Sequence, residues 1–204
     1  FLEVSFNPTS LGVKNATIII TLSSGSPSPF TISIQGTGTS SVSSDFTTTQ
    51  LVPNGTFNYP YELIYGPDNY LWLTERIGKK ISRVNLTNGT VDLLVNLSGL
   101  VYQSGGQDGL LGMALHPNLL QSTGENYVYI AYTYGSSDPT RKTKIVRYTY
   151  SQTGNDGTLS SPLELITNLS GSNDHNSGRL TIGPDNKLYY SIGDQGANQF
   201  ANKC

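Results

Sequence analysis

An internal repeat is the feature that most constrains the fold of this chain. The segment "LIYGPDNYLWLTE" (63–75) returns as "LTIGPDNKLYYSIGD" (180–194), with the Gly-Pro-Asp-Asn turn repeated 117 positions later. A looser copy lies between them, "GMALHPN" followed by "NYVYIAYTY", in which His116 aligns with Gly183 at an offset of 67. A period of about 50 to 67 residues is typical of arrays of repeated supersecondary units.

Four short strands fill the first copy: "YELIY", "YLWLT", "KISRVNL" and "TVDLLVNL". They are rich in β-branched and aromatic residues and are bounded by turns with Gly, Pro and Asn, so they predict antiparallel pairing. Four antiparallel strands recurring at this period are typical of β-propeller blades. The third copy contains two such strands, so the sequence predicts about two and a half blades of a longer propeller.

The segment before the repeats predicts a different β unit. Residues 1–36 contain the short strands "LEVSF", "ATIIITL" and "FTISIQG", and they resemble the last strands of immunoglobulin-like modules of large secreted bacterial proteins. Residues 37–55 have the Ser/Thr-rich composition of a linker. We therefore expect an all-β chain with the end of an immunoglobulin-like sandwich over 1–36, a linker over 37–55 and the start of a propeller over 56–204.

Composition excludes several classes of partner. Charged residues make up 13% of the chain and the net charge is −2, against about 25% charged residues in average proteins. Such a chain has no basic surface for nucleic acid, and no apolar run reaches the roughly 20 residues that span a bilayer. Low charge with many Gly, Tyr, Ser, Thr and Asn residues favours a secreted, periplasmic or cell-surface protein. Cys204 is the single cysteine, so any disulfide partner would lie further along the chain.

The stretch "DHNSGRL" (174–180) precedes the first strand of the third copy. An offset of 67 aligns Asp174 with Gln107, and equivalent loops of a propeller open on the same face. The following hairpin turns around Asp185, so the numbers of paired residues add up to about 370, which places His175 opposite Gln195 and beside Asp194. A carboxylate that orients an imidazole at the floor of a pocket is an arrangement suited to proton abstraction.

Three longer motifs carry a family resemblance. The segments "GQDGLLGMALHP", "DHNSGRLTIGPDNKLYYSIGDQGANQ" and "YGPDNYLWLTERIGKKISRVN" resemble the soluble quinoprotein glucose dehydrogenases and the broader glucose/sorbosone dehydrogenase family. The resemblance runs from Tyr61 to Asn198. It implies a six-bladed propeller that uses pyrroloquinoline quinone (PQQ) and Ca²⁺ to oxidise the anomeric carbon of an aldose, with an external electron acceptor.

The same resemblance assigns roles to individual residues. His175 matches the base that takes the proton of the sugar's C1 hydroxyl, and Asp194 matches the carboxylate that orients it. Gln107, Asp174 and Gln199 match polar residues around the bound sugar. The family's quinone and calcium ligands belong to later blades, so we expect residues 1–204 alone to be inactive.

Other interpretations stay open at this stage. A non-catalytic propeller that serves as a recognition module of a secreted multidomain protein would also fit, because fold does not fix function. Arg179 is either an anion ligand or a brace for a neighbouring loop. His116 occupies the position of a turn glycine and is expected to be structural, and the tyrosines and the tryptophan of the strands are expected to pack the sheets.

Overall fold

The structure is a computed structural model that describes residues 10–21, 29–38 and 48–196. These residues form twelve β-strands and no helix, as the sequence predicts. The strands are β1 (Gly12–Ile20), β2 (Phe30–Gly38), β3 (Pro60–Tyr65), β4 (Tyr70–Glu75), β5 (Lys80–Asn85), β6 (Val91–Asn96), β7 (Leu110–Leu115), β8 (Tyr127–Tyr134), β9 (Lys142–Thr153), β10 (Asp156–Ser170), β11 (Ser177–Ile182) and β12 (Leu188–Ile192). The chain divides into two compact units between Thr49 and Gln50.

The first unit contains an antiparallel hairpin. Strand β1 pairs with β2 from Gly12↔Gly38 to Ile20↔Phe30. β1 starts at Gly12, four residues before the predicted strand, and β2 extends two residues beyond its predicted end to Gly38, so that residues 36–38 pair with residues 12–14. The predicted strand "LEVSF" lies outside the described residues, and the immunoglobulin-like assignment stays a prediction.

The second unit consists of three antiparallel sheets in chain order. Their strand orders are β3-β4-β5-β6, β7-β8-β9-β10 and β11-β12. The four strands predicted for the first repeat are confirmed to within one residue at each end. The prediction of two and a half blades is therefore confirmed in the described residues, as two four-stranded sheets and one pair of strands.

Equivalent tight turns connect the first two strands of the outer two copies. The Gly66 amide donates to the Tyr70 carbonyl at 2.8 Å, and the Gly183 amide donates to the Lys187 carbonyl at 2.9 Å. Asn69 and Asn186 adopt φ values of 62° and 59° at the same turn position, a left-handed conformation that Asn tolerates better than most residues. The repeated "GPDN" thus encodes one hairpin geometry twice.

The sheets pack face to face, and β7, the first strand of the second sheet, is buried on both sides. Leu110 and Met113 of β7 belong to a core shared with the first sheet, which includes Trp72 and Ile81. Leu111 and Ala114 of the same strand face a second core, which includes Leu180 of β11. The sequence of β7 is therefore apolar at successive positions, because its two faces pack against different blades. Within the part of the chain that the structure describes, no helix could span a bilayer.

Candidate active site

Three segments meet at one end of the second and third sheets. They are the loop before β7 (103–109), the loop before β11 (171–176) and the segment that follows β12 (193–196). The backbone amide of Gln107 donates to the backbone carbonyl of Asn173 at 2.7 Å, and this hydrogen bond joins the loops before β7 and β11. The Gln195 amide donates to the His175 carbonyl at 3.3 Å and joins the second and third.

His175 and Asp194 form a hydrogen-bonded pair in this cluster. His175 Nδ1 lies 2.8 Å from Asp194 Oδ1. An ionised carboxylate can only accept a hydrogen bond, so Nδ1 is the donor in this pair, and Nε2 has a lone pair whenever the ring is neutral. The expected juxtaposition of the two residues is therefore present, although a bulge between Ser177 and Leu180 shifts the strand register by one residue.

Asp174 lies on the other side of the same imidazole. Its Oδ1 atom is 3.4 Å from His175 Nε2, and nearly half of each side chain is exposed, 45% for Asp174 and 47% for His175. When the ring is neutral, Nε2 and Oδ1 are both acceptors and have no proton to share. A hydroxyl group that approaches from the open side could donate to either of them.

Gln107 supports the backbone of the His175 loop. Its Oε1 atom accepts a hydrogen bond from the His175 amide at 3.2 Å. In the loop before β7, the backbone amide of Ser104 donates to the side chain of Asp108. In the loop before β11, the backbone amide of Ser172 donates to the side chain of Asn176 in the same way. This match corresponds to an offset of 68, so the structure places Gln107 at the loop position of His175 rather than that of Asp174.

The backbone at the site is tightly constrained. His175 has a φ of 43°, in the left-handed region that non-glycine residues enter only at a cost of about 1–3 kcal/mol. Gly193 passes so close to this loop that an added Cβ would overlap the His175 carbonyl oxygen. Only glycine lets the end of β12 bring Asp194 up to the imidazole.

The remaining candidates fall in different places. Gln199 lies outside the described residues. Arg179 forms an ion pair with a strand of the first sheet, because its Nη1 atom lies 2.9 Å from Oε1 of the buried Glu62 on β3. Burial raises the pKa of Glu62, and the Arg179 guanidinium opposes that rise. His116 lies in the β7–β8 turn, where its Nδ1 atom accepts from the Asn118 amide at 3.1 Å.

The first strand of each sheet (β3, β7 and β11) is called an inner strand here. A cavity of about 520 Å³ lies at the end of these inner strands opposite to His175, and its lining includes His116, Pro117 and Ile182. Neither His175 nor Asp194 lines it. The candidate site is the end at which the loops before β7 and β11 meet, because the exposed imidazole of His175 lies there with the carboxylates of Asp174 and Asp194. Over residues 10–21, 29–38 and 48–196, no three His, Cys, Asp or Glu side chains are grouped so that they could hold a metal ion.

Two features of this end were not anticipated from the sequence. The Tyr61 hydroxyl on β3 donates to the Ser177 carbonyl at 2.5 Å, and burial raises the pKa of that hydroxyl. Asn176 is almost fully buried beside His175. A signal for Asn176 does exist in the sequence, because a Ser followed four residues later by Asp or Asn occurs in both loops.

Comparison with known proteins gives one consistent result. Residues 57–204 match the family model of glucose/sorbosone dehydrogenases. The chain is 46% identical over 149 residues to quinoprotein glucose dehydrogenase B of Acinetobacter calcoaceticus, an alignment that covers 71% of this chain and 30% of that protein. The chain thus spans less than a third of the length of this curated relative.

Solved structures show the same fold. The PQQ-bound aldose sugar dehydrogenase of Streptomyces coelicolor has a TM-score of 0.59 at 24% identity, over 92% of this chain and 44% of that one. The soluble aldose sugar dehydrogenase of Escherichia coli, in its apo form, has a TM-score of 0.53 at 24% identity, over 69% of this chain and 39% of that one. The three-sheet arc therefore has the fold of part of the β-propellers of these two proteins. Together with the family-model match over more than half of its length, this establishes that the chain belongs to the glucose/sorbosone dehydrogenase family.

Proposed function

We propose that this chain supplies the first blades and the proton-abstracting pair of a secreted or periplasmic PQQ-dependent dehydrogenase that oxidises the anomeric carbon of aldoses. The observation that carries the proposal is the hydrogen bond of 2.8 Å between His175 Nδ1 and Asp194 Oδ1 at an open end of the propeller arc. Membership in the family supports the reaction class.

His175 acts as the base in this proposal. With its Nδ1 proton held by Asp194, the neutral imidazole presents the Nε2 lone pair to the C1 hydroxyl of the sugar and takes its proton. Asp194 fixes the tautomer and then stabilises the imidazolium that forms. A bound quinone supplies the hydride acceptor that side chains lack.

Gln107, Asp174 and Gln199 hold the sugar in the same proposal. Asp174 Oδ1 lies 3.4 Å from His175 Nε2, so one sugar could contact both through neighbouring hydroxyl groups. The side-chain amide of Gln107 lies close to them, because its Oε1 atom accepts a hydrogen bond from the His175 backbone amide.

The described residues fit the sugar better than they fit the cofactor. PQQ carries carboxylates and requires cationic partners, whereas Arg179 is paired with Glu62 and Arg76 donates to the Gly106 carbonyl. We propose that the quinone and calcium ligands lie in blades outside residues 1–204, so that these residues alone neither bind quinone nor turn over sugar.

Sugar-dependent dye reduction by the full-length protein tests the function. The apo protein is given PQQ, Ca²⁺ and an aldose, with a redox dye as external electron acceptor. We expect reduction only when PQQ and the sugar are both present. Full-length protein that binds PQQ or folds normally but reduces no dye with any aldose would contradict the proposal and favour a recognition module.

A further inference from the structure

The two loops that meet at the candidate site share one hydrogen bond, from the backbone amide of a serine to the side chain four residues later, and we call this hydrogen bond a brace. In the loop before β7, the Ser104 amide donates to Asp108 Oδ1 at 3.0 Å. In the loop before β11, the Ser172 amide donates to Asn176 Oδ1 at 2.9 Å. The acceptor side chains are almost fully buried, with 0% exposure for Asp108 and 1% for Asn176. Each brace closes a five-residue loop around one exposed functional side chain, Gln107 or His175.

The two braces balance charge differently. Asp108 Oδ2 lies 3.1 Å from Nε of the buried Arg141, so its carboxylate has a cationic partner. Asn176 is neutral, and its Nδ2 atom donates to the Ser172 carbonyl at 2.5 Å. One amide therefore satisfies both the N–H and the C=O of Ser172, which only a group with a donor and an acceptor can do.

The Asn176 brace constrains His175 from both directions along the chain. Its side chain fixes Ser172, and its own carbonyl accepts from the Gly193 amide at 3.1 Å, one residue before Asp194. His175 has a φ of 43° between these anchors. A left-handed backbone at a non-glycine residue persists where the surroundings over-determine it.

We propose that Asn176 is a positioning residue that holds the His175 imidazole against Asp194, so that the Nδ1 proton stays on the carboxylate side and Nε2 stays available. This inference rests on the proposed function for its catalytic consequence. The arrangement of the ring itself can be measured without quinone or sugar.

Asn176→Asp is the informative substitution. The size and the Oδ1 acceptor are kept, but the second carboxylate oxygen faces the Ser172 carbonyl and can no longer donate. The new carboxylate would also be a buried charge without a cationic partner such as the one that Arg141 provides for Asp108, and this lowers the stability of the loop. The loop then relaxes, and the imidazole loses its fixed distance to Asp194.

The experiment compares full-length Asn176→Asp with wild type and with Asn126→Asp. Asn126 is a matched control, because its Oδ1 atom also accepts a loop amide, that of Leu120 at 2.7 Å, in the turn at the other end of β7. Circular dichroism first establishes that each variant is folded. If Asn176→Asp is unfolded, Asn176→Ser takes its place under the same criteria.

The first readout is nitrogen-15 NMR of histidine-labelled apo protein, with the His175 signals assigned by their loss in His175→Gln. We expect a slowly exchanging Nδ1 proton in wild type and in Asn126→Asp, and loss of that signal in Asn176→Asp. The second readout is dye reduction with PQQ, Ca²⁺ and sugar. We expect kcat to fall about 100-fold in Asn176→Asp, since a positioned base contributes at least that much, and we expect KM for the sugar to change by a much smaller factor than kcat.

The outcomes separate the two claims. If wild type reduces no dye, the proposed function fails, and the NMR comparison alone decides the role of Asn176. If wild type is active and folded Asn176→Asp keeps both its kcat and its Nδ1 proton signal, the positioning role is wrong. An equal loss of activity in Asn126→Asp would also contradict it, because the effect would then be one of general stability.

Discussion

Arg83 is a fully buried charge with several partners. Its side chain is fully buried, and it lies 2.8 Å from both Asp68 and Asp92. It also donates to the Tyr150 hydroxyl at 2.6 Å and to the Asn155 carbonyl at 2.7 Å. Burial alone would lower the pKa of Arg83, but the hydrogen bonds to Asp92 and Asp68 outweigh it and raise the pKa. This guanidinium therefore stays charged and ties the first sheet to the second.

Replacing Arg83 by Met should destabilise the protein strongly. Two carboxylates would lose their partner in a buried setting, which costs about 3–5 kcal/mol. Arg147→Met is the control, because Arg147 packs over the Tyr127 ring at 4.0 Å, a contact worth about 0.5–1 kcal/mol at such sites. Urea unfolding of the full-length protein measures both. Equal shifts for the two variants would contradict the bridging role of Arg83.

Individual residues of the site could be predicted from the sequence only where the chain is locally regular. His175 and Asp194 flank one hairpin, so counting outward from Asp185 was sufficient to bring them together. The partners of Arg83 and Asn176 depend on loops and on a neighbouring blade, which hairpin counting does not reach. Arg179 illustrates the same limit, since its partner Glu62 lies on a strand from a different repeat.

At the scale of elements, the approach of β7 to β11 depends on two glycines. A Cβ at Gly112 would overlap the Gly178 carbonyl oxygen, and Gly178 has a φ of 103° with Leu111 packed against it. The absence of side chains at this crossing lets the inner strands of the second and third sheets come close together. The loops before these two strands carry Gln107 and His175, so the crossing also sets the spacing of the site.

Gly112→Ala should therefore separate the two inner strands. Overpacking of this kind costs about 1–3 kcal/mol, and the Gln107 contact to the His175 loop should loosen with it. Gly99→Ala is a suitable control, because a Cβ at Gly99 meets nothing within 4 Å. Thermal unfolding compares the two. A Gly112→Ala variant as stable as Gly99→Ala would show that the strands do not meet as described.

Strand positions were predictable because the repeat aligns three hairpins with one another. The four strands of the first sheet are separated by turns that contain Gly, Pro or Asn, so their bounds follow from the sequence. No bounds were predicted for strands β9 and β10, which run 12 and 15 residues and are paired through three register shifts. Bulges of this kind depend on twist and packing in the whole sheet rather than on the local pattern.

At the scale of the whole molecule, the second unit is an arc of a propeller with apolar surface at its ends. Leu63 and Tyr65 of the first sheet are each 61% exposed, and Tyr189 of the third is 52% exposed. In a closed propeller, such faces are covered by the next blades. The arc geometry explains how loops from separate repeats converge, and it agrees with a chain that spans 30% of its curated relative.

The role of His175 as the base is tested most directly by the rate of sugar-dependent dye reduction by full-length His175→Ala, loaded with PQQ and Ca²⁺ and compared with His116→Ala. His116 is the other histidine of residues 1–204 and lies in a turn at the opposite end of the inner strands. We expect His175→Ala to lose about 10²–10⁴-fold in kcat, as expected for the loss of a general base, and to keep its affinity for PQQ, while His116→Ala stays close to wild type. A His175→Ala protein that turns over at the wild-type rate would contradict this role.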